Sequence, residues 1–141
     1  MAITFDTENI EFPHIKKREV NAWIKKIAGS YNKKIGDLAY LFCNDEKILE
    51  INRHYLNHDF YTDIISFDYT EGDVISGDIF ISLDTIRTNS QKYNTDYQEE
   101  LCRVIIHGVL HLCGLDDKSE DDAIIMREAE NSALKQLFNN E

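Results

Sequence analysis

The chain has 141 residues, 43% of them hydrophobic and 29% charged, and a formal net charge of -11 at neutral pH. That length suits one domain with a buried core, and the charge disfavours loose attachment to a polyphosphate, which relies on Lys and Arg displacing counterions. No run approaches the about 18 apolar residues of a membrane span, and the opening MAITFDTENI lacks both the basic lead and the apolar stretch of a secretory signal, so a cytoplasmic location is expected.

In chain order, Ile3-Thr4-Phe5 alternates weakly and reads as a short strand. Val20, Trp23, Ile24 and Ile27 recur at helical spacing and predict a helix over Lys17 to Ser30 with Trp23 as a core anchor. From His14 to Lys34 the chain carries Lys16, Lys17, Arg18, Lys25, Lys26, Lys33 and Lys34 against the single acid Glu19, which reads either as a solvated helix face or as a local basic surface that suits nucleic acid or an acidic partner. Leu38 to Cys43 is short, apolar and bounded by turn residues, hence a strand. Ile48, Leu49 and Leu56 then belong to a helix capped by Asn44 or Asp45. Thr62 to Phe67 and Ile75 to Ile81 flank the turn Glu71-Gly72-Asp73 and predict a hairpin. A modest helix follows from Leu83 to about Asn94. A stronger one runs from Tyr97 to Leu112, with acids in its first turn and Gly114 to end it, and the last spans Ala123 to Phe138. The order predicts a single α+β domain over residues 1–141, with a small mixed sheet of about four strands covered by about five helices. Cys43, Cys102 and Cys113 are odd in number and lack CxxC spacing, which argues against a disulfide framework or thiolate zinc knuckle.

The chemistry concentrates in HGVLHLCGLDD, residues 107–117. His107 and His111 share one helical face, so both imidazoles can reach one ion. Gly114 permits a positive φ that turns the chain back and brings Asp116 or Asp117 toward the same point. Two histidines and a carboxylate are a zinc ligand set that leaves a position open for water or substrate. Nickel and other transition ions suit the same donors. Gly108 stands where an HExxH peptidase carries its glutamate base, which disfavours peptidase chemistry.

These residues resemble the YbeY family of bacterial endoribonucleases and ribosomal RNA maturation factors, whose pattern is HGxLHLxGxDH. The resemblance extends to Asn52, Tyr55, Asp59, the run Thr62 to Phe67, Gly77-Asp78-Ile79 and Met126. It implies a metal site of His107, His111 and Asp117 at the end of a central helix, with Asp117 in place of the family's third histidine. It implies cleavage of single-stranded ribosomal RNA near the 3′ end of the small-subunit RNA. The implied partners are the small ribosomal subunit and, through it, ribosomal proteins or an assembly GTPase. No membrane partner and no nucleotide cofactor are expected. Leu56 departs from the family's arginine, for which Arg53, or a nearby histidine, His54 or His58, would substitute. Asp116 is the nearest proton acceptor on the motif. Ser66, Phe67 and Gly77 are expected to border the substrate cleft, with Phe67 either stacking on a base or packing inward. Asp78 is expected as a structural acceptor and Met126 as packing beneath the site. The rival function is an assembly factor with a mainly structural metal.

Overall fold

The computed structural model describes residues 2–55 and 62–138. Leu56, His58 and Asp59 lie outside the described residues. The elements are β1 (Ile3–Thr7), α1 (Lys17–Ser30), β2 (Lys34–Cys43), α2 (Asp45–Tyr55), β3 (Ile64–Asp68), β4 (Val74–Ser82), α3 (Leu83–Lys92), α4 (Tyr97–Leu112) and α5 (Glu120–Phe138). The four strands form one sheet in the order β1-β2-β4-β3. β1 and β4 each pair with β2 in parallel, and β3 runs antiparallel to β4 as the expected hairpin. The domain is thus α+β with a mixed sheet.

Alternation along the strands divides the side chains between two unequal layers. Leu38, Tyr40 and Phe42 of β2 and Ile75, Ile79 and Ile81 of β4 enter the main core with Trp23, Ile24 and Ile27 of α1 and Leu101, Ile105 and Val109 of α4. Tyr40 is fully buried, and its hydroxyl donates to the Ile105 carbonyl at 2.9 Å, so the polar end of the ring is satisfied inside the core. The indole of Trp23 likewise donates to the Ala133 carbonyl at 2.8 Å, which ties α1 to α5. On the opposite face a small second cluster of Cys43, Ile48, Ile51 and Ile65, with Phe67 and Phe80 beside it, seats α2. Asn44 caps that helix by accepting the Lys47 N–H at 3.0 Å.

α4 lies across the sheet at close range because Gly108 faces it. A Cβ there would stand 2.9 Å from Ile79 Cδ1 and 3.3 Å from Ile64 Cδ1. Where a zinc peptidase carries a glutamate, this chain therefore uses a missing side chain to bring helix and sheet together. The lysines of α1 stay on its outer face while Val20, Trp23, Ile24, Ile27 and Ala28 are buried. No helix among the described residues is long and apolar enough to cross a membrane.

Candidate active site

α4 ends in a tight turn that sets up the site. Gly114 takes φ +108, its N–H donates to the His111 carbonyl at 3.0 Å, and the Leu115 N–H reaches back to Leu110 at 3.1 Å. This paired closure satisfies the last carbonyls of the helix and reverses the chain. The Asp116 carboxylate then accepts the Asp117 N–H at 2.8 Å, which fixes the next bend and delivers Asp117 to the side of α4 that carries His107. Of the two aspartates left open by the sequence, Asp117 lines the cavity together with His107 and His111, and Asp116 braces the turn.

That cavity, about 700 Å³, lies between α4, the start of β3 and α5. At its wall His107 is held between two carboxylates. Its Nδ1 is 2.7 Å from Oε2 of Glu130 on α5, and its Nε2 is 3.6 Å from Oδ2 of Asp117. Glu130 is only 6% exposed, and its other oxygen accepts from Arg103 Nη1 at 3.1 Å. Burial works against the negative charge of Glu130, but the hydrogen bonds from His107 and Arg103 outweigh it and hold the carboxyl below its ordinary range. An ionised carboxylate only accepts, so Nδ1 of His107 carries the proton and donates. Burial disfavours charge on His107 as well; the bond to Glu130 and the fields of Glu130, Asp117 and Asp63 overcome that and raise its pKa.

With Nδ1 committed as donor, a neutral His107 turns the Nε2 lone pair toward a second acceptor, Asp117. Two acceptors at this range call for a proton or a cation between them. Donors each 2.0 to 2.1 Å from a tetrahedral ion stand about 3.4 Å apart, close to the 3.6 Å observed. The pair therefore fits one edge of a metal polyhedron. Among the described residues no group of three or more His, Cys, Asp or Glu donors is gathered as a complete metal-binding set. His111, one turn further along α4 and exposed, lines the same cavity.

Ser66 also lines the cavity, whereas its neighbours in the expected cleft do not. Phe67 lies on the other face of the sheet, edge-on to Phe80 at 5.8 Å and to Tyr55 at 5.7 Å, because successive residues of a strand point to opposite sides. Gly77 is buried, and a Cβ there would fall 2.6 Å from the Phe67 carbonyl and 3.4 Å from Leu112 Cδ1. Its smallness serves the approach of β3 and α4, which closes it to substrate. Arg53 and His54 are on α2 and are not among the described residues that line the cavity. Asp78 accepts from the Tyr69 hydroxyl at 3.2 Å, and Met126 is 2% exposed at the cavity wall.

Three of the cavity residues that the sequence reading did not single out bear on His107. Glu130 sits four residues after Met126 on the inward stripe of α5, and an acid at a core spacing was the available signal. Arg103 precedes His107 by four residues, so Arg103, His107 and His111 form one row along α4. Asp63, within the run that matches the family, lies in the wall beside His107, and burial raises its pKa against the opposing pull of the imidazole.

The chain is a small α+β domain with a helix-borne imidazole gripped by a buried carboxylate at the wall of an open cavity, an arrangement compatible with hydrolytic chemistry. The family model described as Endoribonuclease YbeY matches residues 2–138. Proteins named Endoribonuclease YbeY are 61% identical in Bacteroides thetaiotaomicron, over 95% of this chain and 98% of that one, and 62% identical in Bacteroides fragilis, over 95% and 96%. One from Porphyromonas gingivalis is 50% identical over 96% of this chain and 89% of its own. The solution structure of a Thermotoga maritima protein shares the fold with a TM-score of 0.72 at 22% identity, covering 98% of this chain and 90% of that one. The chain belongs to the endoribonuclease YbeY family.

Proposed function

We propose that this chain is a metal-dependent, single-strand-specific endoribonuclease acting in ribosomal RNA processing, at the 3′ end of the small-subunit RNA. The observation that carries the reading is the clamp on His107. Its Nδ1 is held by buried Glu130 and its Nε2 faces Asp117 at a separation suited to a shared cation. His107, His111 and Asp117 would hold one transition ion, zinc first and nickel as the alternative, with His111 completing the set by rotation of its exposed side chain. Such an ion supplies Lewis acidity toward the phosphate and lowers the pKa of water.

Charge on the cavity wall supports the need for a cation. Asp63, Glu100, Asp117 and Glu130 line it against Arg103 and Arg127, so a phosphodiester entering without a counter-charge meets net repulsion. Ser66 and Thr62 offer hydroxyls to the substrate from the β3 side. Because Asp63 lines the cavity and Asp116 is engaged in the turn, proton transfer is assigned to Asp63 in preference to Asp116. The small ribosomal subunit is the proposed platform. The exposed Lys17, Arg18 and Lys25, which border a groove between α1 and β1, provide a basic surface for docking there. This same surface favours the second reading, an assembly factor whose metal is mainly structural.

The deciding experiment is cleavage of a single-stranded RNA that contains the precursor 3′ end. Wild type should cut it, while His111→Ala and chelator-treated protein should not. Cleavage retained by a folded, metal-free variant overturns the assignment. Normal RNA maturation in cells carrying His111→Ala would favour the assembly-factor reading.

A further inference from the structure

We propose that Tyr93 is the stacking platform for a nucleobase of single-stranded RNA, at the end of the cavity formed by the C-terminus of α3. The proposal rests on the endoribonuclease reading above and adds a subsite to it. Six large hydrophobic or aromatic side chains stand out as exposed among the described residues: Tyr55, Tyr69, Tyr93, Ile124, Ile125 and Phe138. Of these, Tyr93 is the one that lines the cavity holding His107 and Asp117. It is 64% exposed, so its ring is available to a ligand and contributes little to the core.

The backbone under Tyr93 is fixed. Its N–H donates to Asn89 at 3.0 Å, the Asn94 N–H donates to Gln91 at 3.4 Å, and the Thr95 N–H reaches Ser90 at 2.9 Å, with Asn94 at φ 54. This is the same paired helix closure that ends α4, with Asn94 in the glycine position. An exposed aromatic on so constrained a turn loses little freedom when a base settles on it. Lys92 Nζ lies over one face of the ring, 5.3 Å from its centroid, so a base would stack on the opposite face, with this positive charge close by for its phosphate.

Electrostatics selects stacking as the mode of recognition. The acid-rich wall limits what backbone phosphates contribute to affinity, whereas a base on an aromatic ring is insensitive to net charge and tolerant of sequence. A cavity of about 700 Å³ exceeds the space one phosphate group needs and leaves room for a nucleoside beside it. Tyr93 thus takes the stacking role that the sequence offered to Phe67, which lies across the sheet.

Fluorescence anisotropy with a labelled ten-nucleotide oligoadenylate tests this on the full-length protein. Tyr93→Ala should weaken binding about tenfold, while Tyr93→Phe and Tyr93→Trp stay within about threefold of wild type. In the steady state Tyr93→Ala should raise KM and leave kcat in place. Tyr93→Trp adds a direct readout, since the native Trp23 is buried at 4% exposure and the new indole should be quenched on titration with RNA. Equal affinity of Tyr93→Ala and wild type, or unresponsive emission in Tyr93→Trp, overturns the stacking proposal alone. Failure of wild type to bind any single-stranded RNA overturns the endoribonuclease reading together with it.

Discussion

Oε2 of Glu130 and Nδ1 of His107 stand 2.7 Å apart although 23 residues separate them in the chain, and their contact links α5 to α4 at the wall of the cavity. The bond fixes which imidazole nitrogen carries the proton, and so which one is free to act as a donor to a cation. Second carboxylates of this kind orient and strengthen histidine ligands.

Glu130→Gln is expected to keep the fold and lower zinc affinity about 10- to 100-fold, measured by calorimetric titration of the metal-free protein. Unchanged affinity would show that Glu130 serves packing alone. Glu130→Ala should behave differently. It leaves the Arg103 guanidinium, whose side chain is 14% exposed, with only the longer 3.9 Å pairing to Glu100 among the described residues, and is expected to cost about 3 kcal/mol in urea unfolding.

The two aspartates of the turn should separate cleanly. Asp117→Ala is expected to reduce the metal content per chain, read by elemental analysis after exhaustive dialysis. Asp116→Ala should retain the metal and lose about 0.5 to 1.5 kcal/mol of stability with its bond to the Asp117 N–H. Reversed results would exchange their roles.

Glycine replacements report on how the helix meets the sheet. At Gly77 the added carbon meets a backbone oxygen at 2.6 Å, which has little freedom to move, and Gly77→Ala should cost about 3 kcal/mol. At Gly108 the nearest atom is the end of the Ile79 side chain at 2.9 Å, and alanine also favours the helix, so Gly108→Ala should cost about 1 kcal/mol. Thermal unfolding of the two variants side by side would expose a wrong order.

The thiols set an alkaline limit. Burial pushes Cys43 and Cys102 up to about 12. It carries Cys113 to about 11 against the opposing charge of Lys33. Unfolded thiols ionise near pH 8.5, so raising the pH beyond that stabilises the unfolded chain first. Stability should therefore fall from about pH 9 upward and continue to fall toward the folded values. At pH 8 iodoacetamide should modify native Cys113 roughly a hundredfold more slowly than a free thiol. Rapid labelling of folded protein would contradict this account.

Apolar periodicity made α1 and α4 legible to the residue, because each buries a continuous stripe against the sheet. α5 begins at Glu120, three residues before the reading from Ala123; the acids Glu120, Asp121 and Asp122 resemble a solvated turn but belong to the first turn of the helix, where negative charge is favourable. β2 reaches back to Lys34 through an irregularity between Ile35 and Leu38 that breaks simple alternation. Placing Ser66 and Phe67 in one cleft conflicted with the period of two, and the strand resolves it in favour of Ser66. The local part of the candidate site, from His107 to the Gly114 turn, could be read from spacing, which left Asp116 and Asp117 open; the choice of Asp117 came from the family resemblance. The clamp by Glu130 could not be read, since nothing in the spacing of α5 states which residue of α4 it will meet.

The seating of α2 has a consequence for how the molecule opens. This helix contributes Ile48 and Ile51 to a separate cluster with Cys43 and Ile65 behind the sheet, and none of its described residues joins the main core. Its amides should exchange with deuterium well before those of α4, in a partial unfolding event that leaves the imidazole and its carboxylate partners in register. Arg53 lies on α2, so the side chain expected to stand in for the family's arginine should open with a segment other than the cavity wall that carries His107.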